Sequence, residues 1–160
     1  MVTAVRTPSG YASVRVVPHC VAVGQQRALT VQLQGQPGGV AIGVLPVGHP
    51  NLSSADLFLP GHSLSALSNG CSWYTYPDGG GGRFYYGGKY RDAPVDFFSG
   101  AEVRAAVDRR SGSGNGVARF YRNGKALQTE PLLPIAFAEE AVFVVSCGHA
   151  GGGVKILSVE

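Results

Sequence analysis

The stretch Val117 to Leu127, VARFYRNGKAL, admits few conformations other than two short antiparallel strands joined at Asn123-Gly124. A two-residue hairpin turn that matches the twist of its strands needs positive φ at both central positions. Asn followed by Gly meets that need at the least steric cost. The segment just upstream has the matching pattern. Val103, Ala105 and Val107 fall on one face of an extended chain, and Glu102, Arg104 and Ala106 fall on the other. The polar run from Ser111 to Gly116 turns one strand into the next.

The same period of two recurs along the chain. Ala12 to Val17 and Leu29 to Leu33 alternate, with Leu29, Val31 and Leu33 on one face, while Val40 to Leu45 is a nearly continuous apolar run. Cys71 to Tyr76 carries Trp73, and Phe84-Tyr85-Tyr86 starts another extended piece after the breaker Pro77 to Gly82. Val142 to Cys147 and Val154 to Val159 are apolar on both faces in part, which predicts strands inside a sheet packed against a second sheet. Ser53 and Ser54 before Ala55 to Phe58 predict one helical turn, closed by Pro60-Gly61. No segment has helical periodicity over a helix length. With 24 Gly and 10 Pro falling between short apolar runs, the expected class is all-β: a two-sheet antiparallel sandwich with Gly-rich loops and at most short helical turns. At 160 residues it fits one domain, 1–160, with a core large enough to need no disulfide or metal.

The ordered set Ile42-Gly43-Val44, Trp73 with Tyr76, Phe98 with Gly100, Val103, Asp108, Phe120 to Gly124, Leu133-Pro134-Ile135 and Val142 to Gly148 resembles a SPRY domain. The resemblance covers roughly 35–160, with 1–34 as leading strands, and implies the bent, concanavalin-like form of the sandwich. The chain diverges from the family at Ala101, where an acidic residue is common, and at Cys147-Gly148, where Phe-Gly is usual.

Chemistry has few footholds. His19, His49, His62 and His149 sit in four separate turn contexts and no Gly-x-Ser-x-Gly elbow accompanies them, so no catalytic residues are assigned. Cys147 with His149, and His19 with Cys20, are isolated pairs where a zinc site needs four ligands, so no metal or other cofactor is expected. Gly79 to Gly82 lacks the Gly-Lys-Ser/Thr and the following helix of a phosphate loop. Cys20, Cys71 and Cys147 are odd in number and lie in apolar contexts, which predicts reduced thiols. The N-terminal MVTAVRTPSGY lacks the apolar core of a signal peptide, and no apolar run nears the roughly 20 residues of a membrane span. The expectation is an intracellular protein, cytoplasmic or nuclear, with no membrane partner.

Arg104, Arg109, Arg110, Arg119, Arg122 and Lys125 group around the hairpin and could form a basic strip. With a net charge of only +3, an ordinary solvated hairpin face is the preferred reading over a nucleic-acid site. Tyr74, Tyr76, Phe84, Tyr85, Tyr86 and Tyr90, with Arg83 and Arg91, are of the types that dominate interface hot spots. Arg83 to Lys89, RFYYGGK, resembles the Arg-Leu-Tyr-His-Asp-Gly-Lys stretch of the SOCS-box SPRY proteins, whose tyrosine lines a peptide pocket. Tyr85 takes that position by resemblance. The Val-Trp-Gly turn of those proteins aligns with Gly148-His149-Ala150, so their peptide motif does not transfer.

The expected function is a non-catalytic module that recognises a peptide or protein surface through Arg83, Tyr85, Tyr86, Tyr90 and His149. It would act as a monomeric domain or as a subunit of a hetero-complex. The resemblance implies a specificity subunit or adaptor of an assembly such as a ubiquitin ligase. The alternatives are a structural subunit embedded in a large complex, and a carbohydrate or nucleic-acid binder.

Overall fold

The computed structural model describes residues 3–6, 12–35, 40–49, 70–75, 82–93, 100–110, 114–127, 132–147 and 152–160. In chain order the strands are β1 (Thr3–Arg6), β2 (Ala12–Val21), β3 (Gln26–Gly35), β4 (Val40–Pro46), β5 (Cys71–Thr75), β6 (Gly82–Tyr86), β7 (Lys89–Ala93), β8 (Glu102–Asp108), β9 (Val117–Arg122), β10 (Lys125–Ala126), β11 (Leu133–Pro134), β12 (Ala141–Cys147) and β13 (Gly152–Val159). No helix occurs among the described residues, and none is long and apolar enough to cross a membrane. The helical turn expected near Ala55 and most of the glycine run after Asp78 lie outside the described residues.

The strands form two antiparallel sheets. One runs β1-β2-β12-β4-β5-β6-β7, and the other β10-β9-β8-β3-β13, with β11 also paired to β9. The Asn123-Gly124 turn takes the expected geometry, with φ of 47° and 79°. It is also tied to the start of β8. The Glu102 amide donates to Asn123 Oδ1 at 2.9 Å, and the Asn123 amide donates to the Glu102 carbonyl at 2.8 Å.

The core lies between the sheets. Trp73 is fully buried, with its ring centroid 6.3 Å from both Phe84 and Phe120. Phe84 and Phe120 stack at 5.8 Å, which joins β6 of one sheet to β9 of the other. On β8, Val103, Ala105 and Val107 are buried while the intervening residues are half-buried or exposed, as the alternation predicts. β12 has its hydrogen-bonded neighbours on both sides, and Ala141 to Val145 are all buried. The expectation for β13 needs correction. It is an edge strand paired only to β3 among the described residues, and a register shift between Ile156 and Ser158 leaves Leu157 exposed. A bulge residue has no partner opposite it, so an apolar side chain there need not be covered.

β4 and β5 approach so closely at Gly43 that an added Cβ would run into the Cys71 carbonyl oxygen and come within 2.6 Å of Ser72 Cα. The obstacle is backbone, which cannot rotate away as a flexible side chain would.

Candidate functional site

β6 and β7 are joined by a two-residue turn, Gly87-Gly88, with φ of 55° and 79°. Pairing Tyr86 with Lys89, Tyr85 with Tyr90 and Arg83 with Asp92, it places Arg83, Tyr85, Tyr90 and Asp92 on the sheet face that points away from the inter-sheet core. Tyr86 takes the opposite face, because successive side chains on a strand alternate. It packs half-buried against the inter-sheet core. The five residues expected to act together are therefore divided. Arg83, Tyr85 and Tyr90 are brought together, Tyr86 is turned inward, and His149 lies outside the described residues.

Within the group that remains, the rings differ in exposure. Tyr85 is 6% exposed and packs with Ala41, Leu45, Val142 and Val144. Tyr90 is 56% exposed. Its ring lies 6.1 Å from Tyr85, and the Arg83 guanidinium sits over it at 4.2 Å from the centroid. Arg83 Nε also lies 3.9 Å from Asp92 Oδ1. A guanidinium over a tyrosine face is attracted by the ring quadrupole, and the adjacent carboxylate orients it. Tyr90 is thus an exposed aromatic ring held between a cation and a buried ring, a low-entropy contact surface. On the other face of the hairpin, Arg91 lies 5.9 Å from the centroids of both Phe84 and Tyr86.

The basic strip does not assemble as the sequence grouping suggests. Arg109 is 2% exposed. Its guanidinium donates to four backbone carbonyls: Nε to Asn115 at 2.8 Å, Nη1 to Val21 at 2.9 Å and to Glu139 at 2.6 Å, and Nη2 to Phe137 at 3.0 Å. Burial pushes its pKa down and the Glu139 carboxylate pushes it back up. An arginine retains its charge under such opposition. It fastens three connections: the end of β2, the β8–β9 turn and the approach to β12. Arg104 pairs with Glu160 at 3.3 Å, and Arg110 with Asp108 at 2.9 Å. Arg119 is exposed on β9, and Arg122 lies opposite Val103, half-buried. Sequence grouping missed the role of Arg109 because its partners are carbonyls of distant loops, which leave no side-chain signature.

Cys71 is a free thiol, fully buried, and burial pushes its pKa up to about 12 against the opposing charge of Arg91. Among the described residues no group of His, Cys, Asp or Glu is placed to hold a metal ion. The side chain of Cys147 lies outside the described residues.

The architecture is that of SPRY and lectin sandwiches. The PSpry domain of TRIM65 matches with a TM-score of 0.60 and 14% identity, over 91% of this chain and 70% of that one. The SPRY domain of human HERC1 matches at 0.58 and 15%, over 96% and 91%. A legume lectin-like domain from Entamoeba histolytica matches at 0.61 and 13%, over 99% and 82%. At this identity the likeness is one of fold. The sequence itself matches no protein-family model and no curated protein.

Proposed function

We propose that this chain is a non-catalytic protein-interaction module of SPRY type that binds a peptide or protein surface at the outer face of the β6–β7 hairpin. One observation carries the reading: Tyr90, exposed at the margin of its sheet, is clamped by Arg83 and backed by the buried Tyr85. A large ring fixed before binding loses little entropy on contact, and Tyr and Arg are the residue types that concentrate binding energy. Tyr85 then acts as the floor beneath Tyr90, Tyr86 braces the hairpin from the core side, and His149 completes the candidate set on sequence grounds alone. The fold shared with SPRY domains supports a role in supplying partner specificity to an intracellular assembly, with a ubiquitin ligase as one instance.

Affinity purification of the chain from its native cell, followed by titration of the co-purifying protein against Tyr90→Ala, tests the reading. Loss of the ring should weaken binding by about 2 kcal/mol, roughly 30-fold, with the thermal midpoint preserved. Unchanged affinity would reject this surface. The equally full coverage by a lectin-like domain favours a carbohydrate ligand as second reading. It would be adopted if the same variant lost binding to an immobilised glycan while protein capture was unaffected.

A further inference from the structure

β7 ends its sheet: among the described residues no strand lies beyond it. The turn before it determines which of its backbone groups face outward. In a two-residue hairpin the closing pair exchanges both hydrogen bonds, and the pairs then alternate between bonded and non-bonded. Tyr86–Lys89 is the closing pair, so Phe84–Arg91 and Gly82–Ala93 are also bonded, and Tyr85–Tyr90 and Arg83–Asp92 are not. The N–H and C=O groups of Tyr90 and Asp92 therefore point away from β6, toward the side on which no described strand lies. These are the two residues whose side chains form the exposed part of the candidate site.

We infer that β7 accepts an extended acidic segment of a partner protein as an added strand, hydrogen-bonded to the outward backbone groups of Tyr90 and Asp92. This deepens the recognition reading above and rests on it. The side chains of the hairpin determine the pattern of the added strand. Lys89 and Arg91 share the face opposite Tyr90, so one set of alternate residues in the added strand lies beside two cations, and the other set lies beside the Tyr90 ring. The hairpin from Gly82 to Ala93 carries three cations, Arg83, Lys89 and Arg91, against Asp92 as its one anion. Acidic residues alternating with β-branched ones satisfy both faces. A second copy of this chain fits worse. Antiparallel self-pairing about Arg91 sets arginine against arginine, and pairing about Tyr90 sets Lys89 against Arg91; like charges directly opposite are unfavourable. Charged edge residues of this kind block homotypic pairing while leaving the edge open to an acidic strand.

Proline distinguishes backbone pairing from side-chain contact. At Asp92 the N–H points outward, so Asp92→Pro removes a donor to the added strand without removing one from the β6 ladder. Asp92→Ala removes the same carboxylate and keeps the N–H. The probe is a dye-labelled, terminally blocked peptide of about six residues alternating Glu and Val, a typical strand length, followed by fluorescence anisotropy. A Lys-Val peptide and a Glu-Val peptide N-methylated at alternate residues serve as controls. Asp92→Ala is the reference for Asp92→Pro, because it lacks the same carboxylate and keeps the outward N–H. Asp92→Pro and the N-methylated peptide should each weaken binding by about tenfold or more, the scale of one or two lost hydrogen bonds. Slowed hydrogen exchange at the Tyr90 and Asp92 amides should accompany binding. Equal binding by Asp92→Pro and Asp92→Ala, equal binding of the Lys-Val peptide, or no binding of the Glu-Val peptide at millimolar concentration would each overturn the proposal. If Asp92→Pro fails to fold, the N-methylated peptide decides. If Tyr90→Ala loses the native partner while Asp92→Pro keeps it, strand addition fails and the recognition surface stands. If neither variant affects that partner, both fail.

Discussion

Replacing Arg109 should cost this protein more stability than replacing any of the other arginines around the β9–β10 hairpin. Four charge-assisted hydrogen bonds leave its guanidinium, all to carbonyls, and the residue is almost wholly buried. Hydrogen bonds to a charged group contribute about 1.5 to 3 kcal/mol each in isolation. They act as one unit here, and water entering the vacated space would rehydrate part of the carbonyl set, so their sum overstates the loss. Carbonyls left unsatisfied in the interior cost about 1 to 3 kcal/mol each, so with part of the set rehydrated a total of about 3 to 5 kcal/mol is the better guide for Arg109→Ala. Native domains have only about 5 to 15 kcal/mol in total. At about 2 to 4 °C per kcal/mol for a chain of this size, the melting midpoint should fall by roughly 6 to 20 °C. Arg109→Lys keeps the charge but has no planar fork to span several carbonyls, so it should recover only a minor part of the loss. Arg119→Ala, exposed on β9, should stay within about 0.5 kcal/mol of the parent. Guanidinium chloride unfolding of the three variants checks the order. An Arg109→Ala stability within about 1 kcal/mol of the parent would refute the staple. Where Arg109→Ala does not fold, Arg109→Lys carries the test. The consequence for binding studies is direct: lost ligand affinity in an Arg109 variant reports lost structure, whereas Arg119→Ala reports charge.

Trp73→Ala should destabilise by about 3 to 5 kcal/mol through loss of its contacts with Phe84 and Phe120. The fluorescence of this single tryptophan should be blue-shifted until unfolding; a solvent-like maximum in the folded protein would contradict its burial. Cys71, with its thiol pKa at about 12, should resist maleimide at pH 8 in native buffer and react once denaturant is added, by mass of the peptide that contains it. Asp108 is held at about 2, below its ordinary 3.8, chiefly by hydrogen bonds from Arg110. Its folded-state pKa is the lower one, so its contribution is present above pH 4 and is lost as pH falls from there through about 2. Asp108→Asn should remove that part of the acid dependence, a small one because the pair is solvent-exposed. An unchanged acid profile would show that the pair contributes nothing.

Much of the fold is legible from local chemistry. The Asn123-Gly124 turn needs no distant partner to take positive φ, and the alternation on β8 needs only the pleat to separate Val103, Ala105 and Val107 from their neighbours. Trp73 stands in an apolar strand, and its burial between the sheets agrees with that setting. The candidate site was only partly legible. A period of two places Tyr85 and Tyr86 on opposite faces, but nothing in RFYYGGK says that both faces of that hairpin carry buried rings.

The amino-acid sequence by itself determined most of the central strand segments, the Asn123-Gly124 turn and the two faces of β8, since these depend on steric and periodic rules acting over a few residues; β1, β7 and the Gly87-Gly88 turn were not read from it. The tertiary structure alone decided that Tyr85 is covered and Tyr90 is open, that β7 and β13 are edges among the described residues, and that Arg109 is a buried staple and no part of a basic strip. Each of those outcomes depends on which distant strand or carbonyl arrives beside the residue. That is decided by the packing of the two sheets, because burial and backbone hydrogen bonding are satisfied over the whole chain at once.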